Sequence, residues 1–370
     1  MKISKIIIGI IVLVVVVWGG VKLFGTKEEK TKETIKIGAI LPLSGTLALP
    51  GEFAKRGIEL ALEELQNEND IDVEVIFEDS KFDPKLGISA YEKLKTNDNV
   101  KAILEFGSPV GMALSPLANK DKILLLGLVA APPYSTPNDY TFRIVGSATA
   151  EANGIVDVLV NKFGKQKVAV LFMNNDYGKG TADAFKIAFK NKGEIIFDEG
   201  FNPQETDFRS QLTKIKATNP EALFLASLGR EAGVIIKQAK ELKLNNLFIC
   251  AQACDNPDLI AIASDSADSL VITAPTDDAN AKFKSLYQNK YKENPNYVSM
   301  RMYDATKILA SVFNACKKDD FDKECLLKEM NNVKDFPGSS YSVNFDENGD
   351  INDQFILKTV KNGQFVKYEE

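Results

Sequence analysis

Short apolar runs alternate with longer amphipathic segments along the chain from residue 35 onward. The first runs end at turn residues, as expected of strands that are covered on both faces, and are predicted as strands at Ile35–Leu41, Val73–Asp79, Ala102–Phe106 and Ile123–Leu128. The segments between them have helical apolar spacing and are predicted as helices at Gly51–Asn69, Pro84–Asn97 and Val110–Asn119. This βαβ series predicts a mostly parallel sheet.

The same alternation starts again further along the chain. Strands are predicted at Val168–Met173, Ile195–Phe201, Ala222–Ser227 and Leu247–Cys250. Helices are predicted between them at Tyr177–Lys192, Asp207–Thr218 and Glu231–Leu242. Another strand, Ser269–Ala274, and further helices up to Asn332 follow. The fold class predicted is therefore α/β, with two doubly wound parallel-sheet lobes in series.

The tail changes to alternating strands with two hairpin signals, Asn348-Gly349 and Asn362-Gly363. The acidic residues between Asp346 and Asp350 also suggest a calcium loop, but their spacing does not fit the EF-hand pattern. We predict a type I′ hairpin turn there.

The N-terminal residues have a different character. Lys2 and Lys5 precede an uncharged run from Ile6 to Val21, and a charged segment follows it. We predict a signal anchor over residues 1–24 and a charged tether over residues 25–33, with the rest of the chain outside the membrane. Few small residues stand where a signal peptide would be cut, so an uncleaved anchor is favoured, and cleavage to a secreted or periplasmic protein stays open.

The composition excludes some classes of function. The net charge of −6 argues against nucleic acid as a partner, because nucleic acid requires a basic face. The chain contains no histidine, and therefore lacks the usual general base and the usual zinc ligand. No phosphate loop and no nucleophile elbow occur, so we expect neither an enzyme nor a bound cofactor or metal.

The cysteines fit an oxidising compartment. Cys316 and Cys325 bracket a polar loop between two helical patterns, which predicts a local disulfide. Cys250 and Cys254 form a second close pair, for which a disulfide stays open because so short a loop strains many backbones. The spacing does not fit a four-cysteine zinc site.

The loops at the carboxyl ends of the predicted strands are the expected binding region, since open α/β sheets bind ligands at that edge. They comprise Pro42–Gly51, Gly107–Pro109 and Leu128–Thr136 in the first lobe, and Asn174–Tyr177, Leu228–Glu231 and Cys250–Asn256 in the second. These loops are mostly small and neutral, which favours a small organic ligand over a phosphate or a metal. Asp183 stands where a dinucleotide fingerprint has its third glycine, so no nucleotide is expected.

These segments resemble type I periplasmic solute-binding proteins of the leucine/isoleucine/valine-binding kind. The similarity runs in order through "IKIGAILPLSGTLALPGEFAKRGIELALEELQ", "EDSKFDP", "EFGSPVGMALSPLANKDKILLLG", "TFRIV", "MNNDYGKG", "GFNPQETDF" and "FDENGD". It implies three crossovers, with lobe one formed by residues 34–145 plus 273–337 and lobe two by residues 146–272 plus 338–370. It also implies a monomer that closes over a small ligand and delivers it to the permease subunits of an ABC importer. A sensor ectodomain that acts through a signalling partner is the alternative.

Matched position by position, the resemblance implies a set of ligand-binding residues: Pro50, Ser108, Val129, Ala130, Ala131, Tyr177, Leu228 and Gln252. Ser108 would receive a ligand carboxylate at a helix start, and Val129–Ala131 would form the next carboxylate- and amine-binding loop. The residues alone are also consistent with a helix cap at Ser108, a packed ring at Tyr177 and a solvated loop residue at Gln252.

Four positions depart from the family pattern. Leu228 and Pro50 stand where aromatic residues are common, and the other two bear on the charged groups of the ligand. Gln252 stands where an acidic residue pairs with the ligand amino group, and Ala131 stands where threonine or serine is common. A buried ammonium without a partner loses about 1–3 kcal/mol. We therefore expect a small carboxylate or neutral amide-like solute with an apolar part rather than a standard amino acid, unless a nearby carboxylate replaces the missing partner. The candidates are Glu205, Glu231 and Asp255.

Overall fold

The computed structural model describes residues 34–68 and 71–369. The predicted anchor and tether lie outside the described residues. Within the described ranges, no helix has both the length and the apolar character needed to cross a membrane.

The first sheet is fully parallel and has the strand order β2-β1-β3-β4-β5. Its strands are β1 (Thr34–Leu41), β2 (Asp72–Asp79), β3 (Ala102–Phe106), β4 (Leu124–Leu128) and β5 (Thr141–Arg143). The helices that connect them are α1 (Ala48–Glu68), α2 (Pro84–Thr96) and α3 (Ser108–Asp121). Alternate residues of β4 enter different cores: Leu124 and Leu126 pack on one face of the sheet, and Leu125 packs on the other. Burial on both faces explains why these strands are continuous apolar runs.

The second sheet repeats this order and adds two antiparallel strands, giving β14-β13-β10-β9-β8-β6-β7. Its parallel strands are β6 (Lys167–Met173), β7 (Glu194–Phe201), β8 (Ala222–Ala226), β9 (Leu247–Cys250) and β10 (Val271–Pro275). A short pair, β11 (Phe336–Pro337) and β12 (Ser342–Val343), precedes the antiparallel strands β13 (Phe355–Lys361) and β14 (Gln364–Lys367). The two doubly wound sheets predicted from the sequence are confirmed.

The helices that follow β5 complete the two lobes. Those of the second lobe are α4 (Ala148–Asp157), α5 (Asp176–Phe189), α6 (Arg209–Thr218), α7 (Gly229–Glu241) and α8 (Pro257–Ala263). Those that return to the first sheet are α9 (Ala281–Tyr291), α10 (Tyr297–Ala315) and α11 (Lys323–Asn331). A π-helical turn at Val158–Lys162, which extends α4, was not predicted.

The second and third crossovers lie later in the chain than the expected limits at 272/273 and 337/338. β10 extends through Thr273 to Pro275 within the second sheet. Phe345 and Ile351 are buried in the core of the first sheet, where the Phe345 ring meets the Phe142 ring edge-on at 5.3 Å. We therefore place these crossovers near residues 276 and 354, and residues 338–353 belong with lobe one.

The two hairpin signals of the tail have different outcomes. Asn362 and Gly363 both have positive φ and join β13 to β14, as a type I′ turn requires. At the first signal, Gly349 has a positive φ but Asn348 does not, so the type I′ prediction is wrong there. The physical reason is that Asp346 Oδ1 accepts hydrogen bonds from the N–H groups of Asn348 and Asp350 and fixes a different turn.

Both cysteine pairs form disulfides, Cys316–Cys325 in lobe one and Cys250–Cys254 in lobe two.

A buried carboxylate, Asp353, ties the first and third crossovers to lobe one. Its Oδ2 accepts a hydrogen bond from the Gly146 N–H at 3.0 Å, and its Oδ1 accepts from Arg301 Nη2 at 2.8 Å. The Tyr341 hydroxyl also donates to Oδ1. The Arg301 and Asp353 side chains are 1% and 0% exposed, and Asp353 is the nearer of two buried carboxylates beside Arg301, since Asp304 lies 4.0 Å from the guanidinium.

We expect Asp353→Ala to lower the free energy of unfolding by about 3–5 kcal/mol, because it leaves the buried Arg301 guanidinium with Asp304, at 4.0 Å, as its remaining carboxylate. Chemical denaturation measures this change. Asp183→Ala is the matched control, because Asp183 is exposed and pairs with Lys186 within one helix. Equal effects of the two substitutions would contradict the role assigned to Asp353.

Candidate ligand-binding cavity

A cavity of about 300 Å³ lies where the carboxyl ends of the two sheets face each other. Lobe one contributes residues that follow β1 to β5, such as Pro50, Phe82 and Val145. Lobe two contributes residues that follow β6, β8 and β9, such as Tyr177 and Leu228. The volume is at the lower end of the range for small-molecule sites.

Most of the residues predicted for the site line this cavity. The six that do so are Pro50, Ser108, Ala130, Tyr177, Leu228 and Gln252. Val129 and Ala131 do not line it. Val129 is fully buried in a core of lobe one, and the Arg143 guanidinium donates to the carbonyl oxygens of both residues. These two residues therefore shape the loop behind the cavity wall.

Ser108 is the first residue of α3, and the helix cap is Gly107. The alternative that Ser108 itself caps the helix is therefore wrong. Its Oγ accepts a hydrogen bond from the Ala131 N–H at 3.2 Å, and no acceptor for its own hydroxyl hydrogen or its backbone N–H occurs among the described residues. These two donors and the positive end of the helix dipole suit an anionic group.

Gly107 makes the sharp entry into this helix feasible. Its φ is +110°, a conformation that favours glycine, and an added Cβ would lie 2.3 Å from the Phe82 ring. Glycine at this position allows the Phe82 ring to lie against the start of α3, where both residues line the cavity.

Tyr177 is buried on the lobe-two side of the cavity, and its hydroxyl oxygen accepts a hydrogen bond from the Ala253 N–H at 3.2 Å. Burial raises the pKa of Tyr177 well above its usual value, so the side chain is neutral. Its ring is part of the wall, and its hydroxyl helps to hold the Gln252–Cys254 turn in place.

Gln252 is 3% exposed, so the alternative that it is a solvated loop residue is wrong. Its Nε2 donates to Glu151 Oε2 at 3.1 Å, and its backbone N–H donates to Glu151 Oε1 at 2.6 Å. Its Oε1 is sealed from solvent and has no hydrogen-bond partner among the described residues. The amide of Gln252 is thus directed into the protein by Glu151.

Glu151 is buried and also accepts a hydrogen bond from the Thr273 hydroxyl at 2.6 Å. Burial raises the pKa of Glu151 to about 7, although the hydrogen bonds from Thr273 and Gln252 oppose this shift. The carboxyl group connects α4, the turn after β9 and strand β10, and so fixes the lobe-two wall.

Two groups of lining residues were missed by the sequence analysis. One is a set of aromatic side chains: Phe53, Phe82, Phe106, Tyr297 and Phe365. The other is the pair Asp277 and Lys358, which form a charged group with the predicted candidate Asp255. The aromatic residues on predicted helices were indistinguishable from core residues in the sequence. Lys358 lies on β13, about a hundred residues from Asp255, with no local signal of their contact.

Of the carboxylates considered as partners of a ligand amino group, Asp255 lines the cavity and the other two do not. Glu231 accepts from the Gln204 N–H at 3.1 Å, and Glu205 accepts from Gln211 Nε2 at 2.8 Å. Both are therefore engaged in lobe two, away from the cavity wall.

The arrangement can bind a small organic molecule with an apolar body. Aromatic and aliphatic side chains form most of the wall, hydrogen-bond donors lie at Ser108, and a charged group lies on the lobe-two side. Contacts from both lobes would hold such a molecule.

Comparisons with known proteins agree with this geometry. The family model described as "Periplasmic binding protein" matches residues 34–364. The Leu/Ile/Val-binding protein homolog 3 of Brucella melitensis is 26% identical over 328 residues, which cover 86% of this chain and 88% of the relative.

Two solved structures have the same fold. The leucine-binding protein LivK of Thermotoga maritima has a TM-score of 0.85 and 25% identity, over 90% of this chain and 98% of that one. LivJ of Streptococcus pneumoniae, a branched-chain amino acid transporter substrate-binding protein in complex with isoleucine, has a TM-score of 0.79 and 25% identity, with the same coverage.

The family consists of solute-binding proteins rather than enzymes. Its model covers almost all of the described residues, and the resemblance noted in the sequence is confirmed. The chain therefore belongs to the periplasmic binding protein family.

Proposed function

We propose that this protein is the extracytoplasmic solute-binding component of an ABC importer. It binds a small amino-acid-like or carboxylate solute and delivers it to the permease subunits. The observation that carries the proposal is the cavity between the facing carboxyl edges of the two sheets, with the start of α3 at its wall. The names of two similar proteins support it, since one is a Leu/Ile/Val-binding protein homolog and the other a branched-chain amino acid transporter substrate-binding protein.

The ligand carboxylate would lie at Ser108. There the backbone N–H and the hydroxyl are both available, and the helix dipole favours negative charge. The apolar part of the ligand would pack against the surrounding rings, among them Phe53, Phe82 and Phe106. A cavity of about 300 Å³ is at the lower end of the range for small-molecule sites and suits a small solute.

Ligand binding would stabilise the closed form, because Ser108 and Ala130 belong to lobe one while Tyr177 and Leu228 belong to lobe two. A ligand that contacts both walls has more favourable contacts in the closed arrangement than in an open one. The permease would then recognise the closed form of this monomer.

The N-terminal residues 1–24 would anchor the protein to the membrane, with Lys2 and Lys5 on the cytoplasmic side. The charged tether would then separate the anchor from the lobes. The alternative is that the N-terminal segment is cleaved and the protein is released as a secreted or periplasmic protein.

The proposal is tested by native mass spectrometry of freshly purified protein, followed by a thermal-shift panel of amino acids and carboxylates. We expect a bound small molecule, or stabilisation by at least one compound of this class, since the closed cavity binds the ligand and the unfolded chain does not. Turnover of any bound compound would instead indicate an enzyme.

We expect Ser108→Ala to weaken binding of the best carboxylate from that panel by about tenfold or more, since a hydrogen bond to a charged group is lost. Isothermal titration calorimetry measures the change. Ser89→Ala is the matched control, because Ser89 is exposed on α2 and donates to the Lys85 carbonyl within its own helix. If Ser108→Ala binds the compound with unchanged affinity, Ser108 does not contact the ligand.

We expect the full chain to sediment with membranes when it is expressed in a bacterial host, and a chain starting at residue 25 to remain in the supernatant. The reason is the uncharged run from Ile6 to Val21, which an uncleaved anchor would keep in the bilayer. Fractionation shows whether the protein is in the membrane, and an intact-mass measurement shows whether the N-terminal residues are retained. If the protein expressed from the full-length sequence has a mass that lacks the N-terminal residues, the anchor is refuted.

A further inference from the structure

Glu151 is a buried carboxylate without a basic partner at the place where the two lobes join. It is 1% exposed, and it forms no ion pair with a lysine or arginine among the described residues. Its three hydrogen bonds come from the backbone N–H and the Nε2 of Gln252 and from the Thr273 hydroxyl. Hydrogen bonds from neutral donors offset only part of the cost of burying a charge, so this position favours the protonated form.

The groups that face Glu151 do not compensate a negative charge. After burial, the charge of Asp353 raises the pKa of Glu151, and Asp353 itself is paired with Arg301. The phenols of Tyr177 and Tyr297 face the same carboxylate from α5 and from the start of α10, and both stay neutral because burial raises their pKa. Among the described residues, Glu151 therefore faces one carboxylate and two neutral rings rather than a cation.

The Thr273 hydroxyl can serve either protonation state of Glu151. It lies 2.6 Å from Glu151 Oε1 and 3.4 Å from the carbonyl oxygen of Cys250. When Glu151 is ionised, the hydroxyl donates to Oε1. When Glu151 is protonated, its proton can be donated from Oε1 to the Thr273 oxygen, while the hydroxyl hydrogen turns to the Cys250 carbonyl. A proton can thus be added to Glu151 with every donor still paired.

These three residues, Glu151, Gln252 and Thr273, form a unit that we call the Glu151 junction. Gln252 Nε2 also lies 3.4 Å from the Gly146 carbonyl oxygen at the first crossover, and Thr273 lies in β10 just before the second crossover. Separation of the Gln252 turn from α4 would admit water to the carboxylate. Opening of the junction therefore lowers the cost of a charge on Glu151.

We propose that Glu151 and Thr273 hold a proton in the intact Glu151 junction, and that opening of this junction releases the proton. At pH 6 a hydrated carboxylate is ionised, whereas the buried carboxyl group keeps its proton. Acid therefore favours the intact junction, and higher pH favours its opening. The inference concerns the crossovers and the lobe-two wall, and it does not require the ligand or the transport role proposed above.

The pH range of the effect follows from the pKa of the carboxyl group in the two forms. The ordinary pKa of a glutamate is 4.5, and burial raises the pKa of Glu151 to about 7. Between these values the intact junction binds more protons than the open one, so the equilibrium constant for opening rises by up to about tenfold per pH unit. Above pH 7 both forms are ionised, and the opening equilibrium no longer depends on the titration of Glu151.

Hydrogen–deuterium exchange of the full-length protein between pH 5 and pH 9, read by mass spectrometry, measures this opening. The peptide of residues 251–256 reports it, because the Gln252 N–H donates to Glu151 and the Ala253 N–H donates to Tyr177. After correction for the intrinsic pH dependence of exchange, we expect its protection to fall by about tenfold or more from pH 5 to pH 7 and then to level off. Glu151→Gln, which cannot ionise, is expected to remove this fall.

Thr273→Val keeps the carboxyl group of Glu151 and removes a hydrogen bond that is stronger when Glu151 is ionised. The pH at which protection levels off is therefore expected to rise by about one unit. A merely structural role of Thr273 would lower protection at every pH without moving this point. The shift can be measured even if Glu151→Gln does not fold.

Glu231→Gln is the matched control. Glu231 is also a buried lobe-two carboxylate whose pKa is raised by burial, but it accepts from the Gln204 N–H, outside the Glu151 junction. This variant is expected to keep the wild-type profile. Wild-type protection that is constant from pH 5 to pH 7, or that falls equally in Glu151→Gln, would overturn the inference. A levelling-off point that does not move in Thr273→Val would overturn the part assigned to Thr273.

Discussion

The buried contacts of Gly146 at the first crossover are the constraint on which the cavity depends. Its N–H donates to Asp353, which is held by Arg301 of α10, and its carbonyl oxygen accepts from Gln252 Nε2 at 3.4 Å. An added Cβ at Gly146 would lie 2.4 Å from the Phe355 ring, so glycine allows the first and third crossovers to approach each other. These contacts fix the first crossover relative to the residues of both lobes that form the cavity walls.

Each lobe has one buried carboxylate that organises its side of this junction. In lobe one, Asp353 accepts hydrogen bonds that link the first and third crossovers to α10. In lobe two, Glu151 accepts hydrogen bonds that link α4 to β10 and to the Gln252 turn. The Cys250–Cys254 disulfide closes the same turn covalently. The cavity wall is thus attached to helices and strands of both lobes, and Ser108 and Asp255 line the cavity between them.

Most of the fold could be predicted from the sequence because the strands are buried on both faces. Their apolar runs and the helical segments between them determine two parallel sheets and place the loops that line the cavity. It did not reveal where the third crossover lies, since the alternation around Phe345 and Ile351 is the same whichever sheet receives these residues. The turn at Asn348 was also predicted incorrectly from the sequence, because hydrogen bonds to the Asp346 side chain stabilise a turn other than the expected type I′ turn.

The candidate site was predictable where a residue follows a strand directly, as Ser108 and Tyr177 do. The charged group was predicted only at Asp255, because Asp277 and Lys358 come from separate elements that meet Asp255 in the folded lobe and share no sequence pattern with it. The amide orientation of Gln252 depends on Glu151, which stands far from it in the chain. Local sequence patterns do not show which charged or polar residues will pair when they lie far apart in the chain.

We propose that a ligand in this cavity holds the two lobes closed. Small-angle X-ray scattering of residues 25–370, with and without the compound that stabilises the protein most, tests it directly. We expect a smaller radius of gyration in the presence of that compound, because the closed arrangement is more compact than an open one. Identical scattering curves at saturating ligand, with binding verified by calorimetry, would contradict it.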